Sequence, residues 1–333
     1  MNKNKTIQFI INHWIYALFA IMLIFITITH FDFWSERNLQ NLIISVAMDG
    51  IIVVGMTVAM IGGGFDLSVG SVLAMAGVVS VSLQPAGLPV AICAALVASL
   101  LAGALNGFLV TRLKINAFIA TLGTMIVVRG AVMTYTDAQP VVSQDPLFSE
   151  IGRGQVGLIP VPAIIFAVVL ALGYILLNFT RLGRNIYALG GNEEASRSAG
   201  ILIDRTKFIS YVITSFSAGI SGVILASRLS TGSPIIGEDT ALNVMTAVLL
   251  GGTSLSGGVG SIQGSLVGVF TIGALSNYLN LTNVSNYYQR IAKGMLLILV
   301  IIIDRLYQYY LSQKLLRTRV DRLRNEFQKE VPA

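Results

Sequence analysis

Apolar residues fall into ten long stretches separated by short polar segments. They cover about 11–30, 38–61, 68–84, 89–111, 115–134, 160–179, 207–229, 241–256, 259–280 and 286–310. Ile15 to Thr29 carries no charge, and neither does Val69 to Thr111, a run of 43 residues. A bilayer core takes about 20 apolar residues per helix. The pattern therefore predicts an all-α polytopic membrane protein, a single domain over 1–333 with about ten transmembrane helices. The third and eighth stretches are short and interrupted by glycine, and are read as two Gly-rich broken or re-entrant segments. A basic N-terminus, Met1 to Thr6, leads into the apolar run from Ile7 to His30. That run is long for a signal peptide and no small-x-small site closes it, so it is read as a retained first span.

Composition agrees. Of 333 residues, 54% are hydrophobic and 11% charged, against about 25% charged in an ordinary soluble protein. Mean hydropathy is +0.77. Soluble globular and disordered classes are excluded. The net charge of +6 would point to nucleic acid in a soluble protein. Here the basic residues sit between and after apolar runs, as orientation signals, and no nucleic-acid partner is expected. With the N-terminus (1–10) and C-terminus inside, the cytoplasmic segments hold sixteen basic residues and the outer segments two, Arg37 and Arg153. This bias places both termini in the cytoplasm of a bacterial inner membrane protein. The single cysteine, Cys93, cannot form an internal disulfide. His13 and His30 lie about 25 Å apart along a helix and share no metal, so no metal site is expected.

Three segments between spans stand out. The outer loop 135–159 carries Asp137, Asp145 and Glu150. The cytoplasmic loop 180–206 is the most charged internal segment. In the tail 311–333, Leu316, Val320, Leu323 and Phe327 recur at helical spacing, which reads as an amphipathic cytoplasmic helix on the membrane surface. An internal echo is also visible. Gly62-Gly63-Gly64-Phe65-Asp66-Leu67-Ser68-Val69-Gly70-Ser71 and Gly251-Gly252-Thr253-Ser254-Leu255-Ser256-Gly257-Gly258-Val259-Gly260-Ser261 each run from a glycine group through a polar stretch to Val-Gly-Ser. Glycine-interrupted spans in both halves of a chain point to a transporter built from repeats, with its pathway at the breaks.

Enzyme signatures are missing. There is no G-x-x-x-x-G-K-[ST] loop, so ATP cannot bind in the P-loop manner, and there is no nucleophile elbow. No catalytic residue and no cofactor are assigned. Asp66 and Ser68 sit in the first break, either in a gate or as caps on the free backbone N–H groups of the next helix. In the cytoplasmic loop, Asn192 is a good N-cap. Glu193 and Glu194 then suit the first turn of a short helix, and Gly200 suits its C′ position. Ala195, Ser198 and Ala199 form a small, flat face that admits a partner groove. Asp49, Arg129 and Lys293 are charges within spans. An Asp49–Lys293 pair is geometrically possible, and Arg129 reads best as a side chain snorkelling to the surface.

These motifs resemble the membrane permeases of ribose-type sugar ABC importers. Gly62 to Ser71 is similar to the family's "GGIDLSVGS" stretch and Gly190 to Ile201 to its "GGNxxAAxxSGI" coupling segment. Leu250 to Ser261 and Lys114 to Thr124 fit as well. Phe65, Ser196 and Ala199 depart from the commoner residues without disturbing the helix logic. The resemblance implies a homo- or heterodimer of permeases, two ATP-binding cassette subunits and a periplasmic or lipid-anchored extracytoplasmic sugar-binding protein, with ATP bound by the partner. It assigns coupling to Asn192, Glu193, Glu194, Ala195, Ser198, Ala199 and Gly200. It assigns the pathway or gate to Gly62, Gly63, Gly64, Asp66, Ser68, Asn116, Gly251, Gly252 and Ser256. The alternatives are a branched-chain amino-acid-type ABC permease and an ion-coupled secondary carrier using Asp49.

Overall fold

The structure, a computed structural model, describes residues 3–306, so the expected tail helix over 311–333 lies outside the described residues. Each apolar stretch carries a helix. In chain order these are α1 (Lys3–Thr29), α2 (Glu36–Ile61), α3 (Val69–Ser82), α4 (Leu88–Thr111) and α5 (Ala117–Thr136). After the outer-loop helix α6 (Pro146–Arg153) come α7 (Val161–Phe179), α8 (Arg181–Gly191), α9 (Glu193–Ser198) and α10 (Ile203–Leu229). The chain continues through α11 (Thr240–Leu250) and α12 (Ile262–Leu281) to α13 (286–306). Six of them, α2, α4, α5, α7, α10 and α12, are long and apolar enough to cross a membrane. The mostly helical fold is that of a polytopic membrane protein.

The eighth stretch is shorter than 241–256 implies. Its helix α11 stops at Leu250 because Gly252 takes φ +85° and turns the chain out of the helix. Three helices lie outside the apolar stretches. Within the outer loop, Asp145 caps α6 by accepting from Leu147 N at 2.9 Å, with Pro146 at the first helical position. In the cytoplasmic loop Thr180 caps α8 by accepting from Gly183 N at 3.1 Å, and α9 follows directly.

Helices α2 and α10 form the centre, whereas α5 and α7 are the most exposed of the six. The reason is written in α10, whose inner face is serine, threonine and glycine. Lipid offers apolar side chains no reason to leave it, so membrane helices associate through small residues that let backbones approach. A Cβ on Gly55 of α2 would stand 2.8 Å from Thr214 Cα, and one on Gly103 of α4 would stand 2.8 Å from Val212 Cα. A Cβ on Gly222 would overlap the Leu73 carbonyl of α3. Hydroxyls complete the contacts: Thr214 donates to Gly55 O and Ser221 to Met48 O, each at 2.9 Å.

The outer segments fold back onto α10. Strand β1 (Val141–Val142) pairs antiparallel with β4 (Thr231–Gly232), and β2 (Gln155–Val156) with β3 (Ile159–Pro160) in a hairpin. Gly152 N donates to Ser227 Oγ at 2.7 Å and Arg153 Nε to Arg228 O at 2.6 Å. Arg129 reaches the outer segment that follows α10. Its guanidinium donates to the carbonyls of Pro234 and, at 2.7 Å, Ile236, fastening the loop before α11 to α5. Lys293 is near enough to Asp49 for Coulombic attraction, but the two make no ion-pair contact.

Candidate functional site

Both glycine breaks end their helices in the same way. At the first, Gly63 N donates to Met60 O and Gly64 N to Ala59 O, both at 3.0 Å, with Gly63 at φ +78°. At the second, Gly252 N donates to Leu249 O at 2.9 Å and Thr253 N to Val248 O at 3.2 Å, with Gly252 at φ +85°. Each is a Schellman turn, in which a left-handed residue lets its own amide and the next one bond back to the last carbonyls. The echo in the sequence is thus an echo in the backbone.

After the first break the chain buries a carboxylate. Asp66 and Ser68 are both fully buried. Asp66 Oδ1 accepts from Ser68 N at 2.8 Å and Ser68 Oγ at 2.6 Å, a turn just before α3, and neither Asp66 nor Ser68 caps the first-turn amides of α3 as the sequence suggests. From α4, Asn106 Nδ2 donates to both carboxylate oxygens at 3.2 Å and to Ser68 Oγ at 2.8 Å. From α10, Ser215 Oγ donates to Oδ2 at 3.1 Å. Asn106 and Ser215 escaped the sequence reading. The only signal for Asn106 was an amide inside an apolar run, and Ser215 was one of several serines on its helix.

This network predicts an ordered series. Asp66→Ala takes the acceptor from Ser68 N, Ser68 Oγ and Ser215 Oγ in a dry interior, leaving Asn106 Nδ2 only Ser68 Oγ, and a buried donor left unmade costs about 1–3 kcal/mol. Asp66→Asn keeps an oxygen for Ser68 N, and its amide meets the Asn106 carbonyl, which has no partner in the structure, once that amide turns. Thermal unfolding of the purified protein should therefore fall sharply for Ala and by about 1 kcal/mol for Asn. Equal loss in both variants contradicts the role of the network.

The predicted coupling segment has the expected caps. Asn192 Oδ1 accepts from Ala195 N at 2.9 Å. At the other end Gly200 N donates to Arg197 O and Ile201 N to Ser196 O, both at 3.0 Å, with Gly200 at φ +81°. Ser196 is buried, while Asn192, Glu194, Ala195, Ser198 and Ala199 are exposed. Glu193 pairs with Lys207 of α10 at 2.7 Å and with Arg197 at 3.5 Å. The hydrogen bond from Lys207 holds its carboxyl below the usual carboxylate range.

Directly before α9, Gly190 and Gly191 meet both breaks. Gly258 N donates to Ile61 O at 2.8 Å, joining the second break to the end of α2. Gly190 lies against this bond so tightly that a Cβ would overlap both Ile61 O and Gly258 N. A Cβ on Gly257 would stand 2.9 Å from Gly63 Cα, and one on Gly258 would stand 2.8 Å from Gly191 Cα. Three glycine groups from three separate motifs make one backbone junction. The three motifs are legible in the sequence, and their meeting is not.

The other assigned residues divide. Gly62, Gly63, Gly64 and Asn116 come together around a cavity of about 280 Å³, completed by Ala59, Val110, Lys114, Ile115, Ala117, Lys207, Ser210 and Tyr211. Asn116 is the N-cap of α5, accepting from Phe118 N at 2.9 Å. Asp66 and Ser68 are not part of the cavity lining; they brace α3 against α4 and α10. Gly251 is buried against Gly264 of α12, and Ser256 is exposed in the loop of the second break.

Comparison with known proteins gives a consistent result. Residues 38–301 match the family described as branched-chain amino acid transport system / permease component. The chain is 38% identical over 315 residues to the ribose import permease protein RbsC of Haemophilus influenzae, covering 91% of this chain and 98% of that protein. It is 40% identical over 289 residues to the protein of the same name in Bacillus subtilis, covering 86% and 90%. The L-arabinose transport system permease protein AraH of Escherichia coli is 38% identical over 292 residues, covering 87% and 89%. No solved structure matches the chain. A match over 38–301 together with full-length relatives of this identity shows that the chain belongs to this family of transport-system permeases.

Proposed function

We propose that the chain is the membrane-spanning permease subunit of an ABC importer for a sugar of the monosaccharide class for which its relatives are named. It takes the sugar from an extracytoplasmic binding protein, and separate ATP-binding cassette subunits supply the energy. Two such subunits and a second permease copy or paralogue complete the assembly. Ten helices cross a bacterial inner membrane with both termini in the cytoplasm, a reading supported by the helix in each apolar stretch and the inward bias of basic residues.

The observation that carries the mechanism is the glycine junction. A partner that displaces α9 displaces Gly190–Gly191, and these press on the backbones of Ile61–Gly63 and Gly257–Gly258. Backbone-to-backbone contact has no side chain to absorb the push, so movement of α9 reaches both breaks together. Gly62, Gly63 and Gly64, with Gly251, Gly252 and Ser256, then act as paired hinges of the gate. Asn116 fixes the start of α5 beside the first hinge, and Asp66 with Ser68 keeps α3 attached to α4 and α10 while it moves. Ala195, Ser198 and Ala199 offer the contact face, and Asn192, Glu193, Glu194 and Gly200 keep the helix formed.

Sugar is favoured over a branched-chain amino acid because the compared relatives are named for ribose and arabinose. An ion-coupled carrier rests on Asp49 alone, whose attraction to Lys293 gives it a structural explanation. Uptake into vesicles separates the classes. With ATPase and binding protein supplied, uptake should require both and survive a protonophore while ATP is maintained. Asp49→Asn should leave the ATP dependence intact. Uptake by this chain alone, stopped by the protonophore and by Asp49→Asn, would overturn the reading.

A further inference from the structure

The β2–β3 hairpin between α6 and α7 carries apolar side chains that pack on nothing. Residues 155–159 are all exposed, and Leu158, in the turn, is 80% exposed. Val156 and Ile159 flank it and are exposed as well. A two-stranded hairpin is marginal in water on its own, and apolar residues left in water add nothing to it. Its backbone, by contrast, is self-contained. Val156 pairs with Ile159 and Gln155 with Pro160. Where the strands meet their neighbours, Val161 N donates to Gly154 O at 2.9 Å. Gly157, at φ +63°, makes the turn. The hairpin thus pairs its polar backbone internally and turns apolar side chains outward, which is what a segment in contact with lipid requires.

We propose that this hairpin is a lipid anchor, with its tip in the outer leaflet at the boundary between headgroups and acyl chains. The length of α7 is one reason. It has 19 residues, the fewest of the six candidate spans. At 1.5 Å per residue that is roughly 28 Å, short of a hydrocarbon core of about 30 Å even before any tilt. Strand β3 runs straight into α7, so the hairpin supplies apolar surface at the end where the helix falls short. Charge is a second reason. No charged residue occurs from Gly154 to Thr180, so hairpin and span form one uncharged run. The hairpin also continues an apolar stripe of α7, where Ile164, Val168, Leu172 and Ile175 are exposed at helical spacing. A protein partner is the weaker occupant. Protein interfaces are anchored by aromatic residues and arginine, and residues 154–160 include neither. Through α6 the anchor reaches the centre of the fold, since Gly152 and Arg153 bond to Ser227 and Arg228 at the outer end of α10. The proposal rests on α7 being a span and not on the importer reading.

Cys93 is the single cysteine of the chain, so a Cys93→Ala background accepts one nitroxide label at a chosen position. The full chain in phosphatidylcholine nanodiscs is labelled separately at Leu158→Cys and Ile159→Cys. Power saturation then compares access of dissolved oxygen, which concentrates among acyl chains, with access of a water-soluble nickel chelate. Val168→Cys, exposed in the middle of α7, gives the lipid reference, and Glu194→Cys, exposed on α9, gives the water reference. The ratio of oxygen to nickel access at both hairpin positions should be severalfold above that at Glu194 and approach that at Val168. Unfolding temperatures of the labelled variants should match the Cys93→Ala parent, because both side chains are exposed. Adding Leu158→Asp should shift the Ile159 label towards nickel, since a charge is costly among acyl chains and lifts the tip out. A ratio at both hairpin positions equal to that at Glu194 places the hairpin in water and overturns the proposal. Low access to both reagents in discs holding two permeases, with high nickel access in discs holding one, assigns the tip to a second copy of the chain and overturns it as well.

Discussion

Gly190→Ala is expected to reduce ATP-driven uptake by about ten- to a hundredfold, while Gly191→Ala, one residue on, stays near wild type. The two glycines are adjacent in sequence and differ only in what surrounds them. A methyl on Gly190 overlaps the Ile61 carbonyl and the Gly258 amide, whereas one on Gly191 meets nothing within 4 Å. The atoms that would have to yield are backbone, and they share the 2.8 Å hydrogen bond between Gly258 and Ile61. Overpacking a tight contact costs about 1–3 kcal/mol, and each 1.4 kcal/mol is tenfold in an equilibrium. If the junction closes and opens during transport, this strain falls on the closed arrangement alone and biases the cycle by that factor. Uptake into vesicles with the complete transporter measures it, alongside the amount of each variant in the membrane. Equal activity of the two variants at equal abundance would remove the junction from the mechanism.

Why the sequence revealed some of this and hid the rest follows from the range of the interactions. Helix positions were legible because lipid imposes a length of apolar residues, and the glycine breaks because a left-handed residue at Gly63 or Gly252 is a local requirement. The caps at Asn192 and Gly200 are local too, each satisfied within three to five residues. By contrast, Asn106 lies 40 residues from Asp66 and Ser215 lies 149 residues away. Nothing within one span says which face of it meets another. The end of α11 was misplaced because residues 251–256 remain mixed apolar and small after the helix has stopped. The two carbonyl partners of Arg129, Pro234 and Ile236, are equally hidden because they belong to a loop more than 100 residues away. Glycine pairs announce that something comes close without saying what, and so Gly190–Gly191, Gly63 and Gly257–Gly258 were each noticed and not joined.

Ala195→Arg is expected to abolish both association with the ATPase and uptake, and to leave the isolated permease as stable as the wild type. The two halves of this expectation come from the same fact. Ala195 is exposed on α9 with Ser198 and Ala199, while Ser196 faces the protein and Glu193 is tied to Lys207. In the free permease an arginine there points into water, and surface substitutions of that kind change stability by less than about 0.5 kcal/mol. In the assembled transporter the same face is proposed to enter a groove on the ATPase. A long side chain holds the surfaces apart, and a charge buried without a partner costs several kcal/mol. That is enough to lose a complex of ordinary affinity, since 4 kcal/mol is about a thousandfold. Ala195→Ser adds one small polar atom and should retain association. Co-purification of the ATPase with each variant, and the unfolding temperature of each permease alone, give the two readouts. Loss of association together with a fall in the permease's own stability would trace the defect to folding of α9. Normal uptake by Ala195→Arg would mean that the ATPase grips this chain somewhere other than the capped helix.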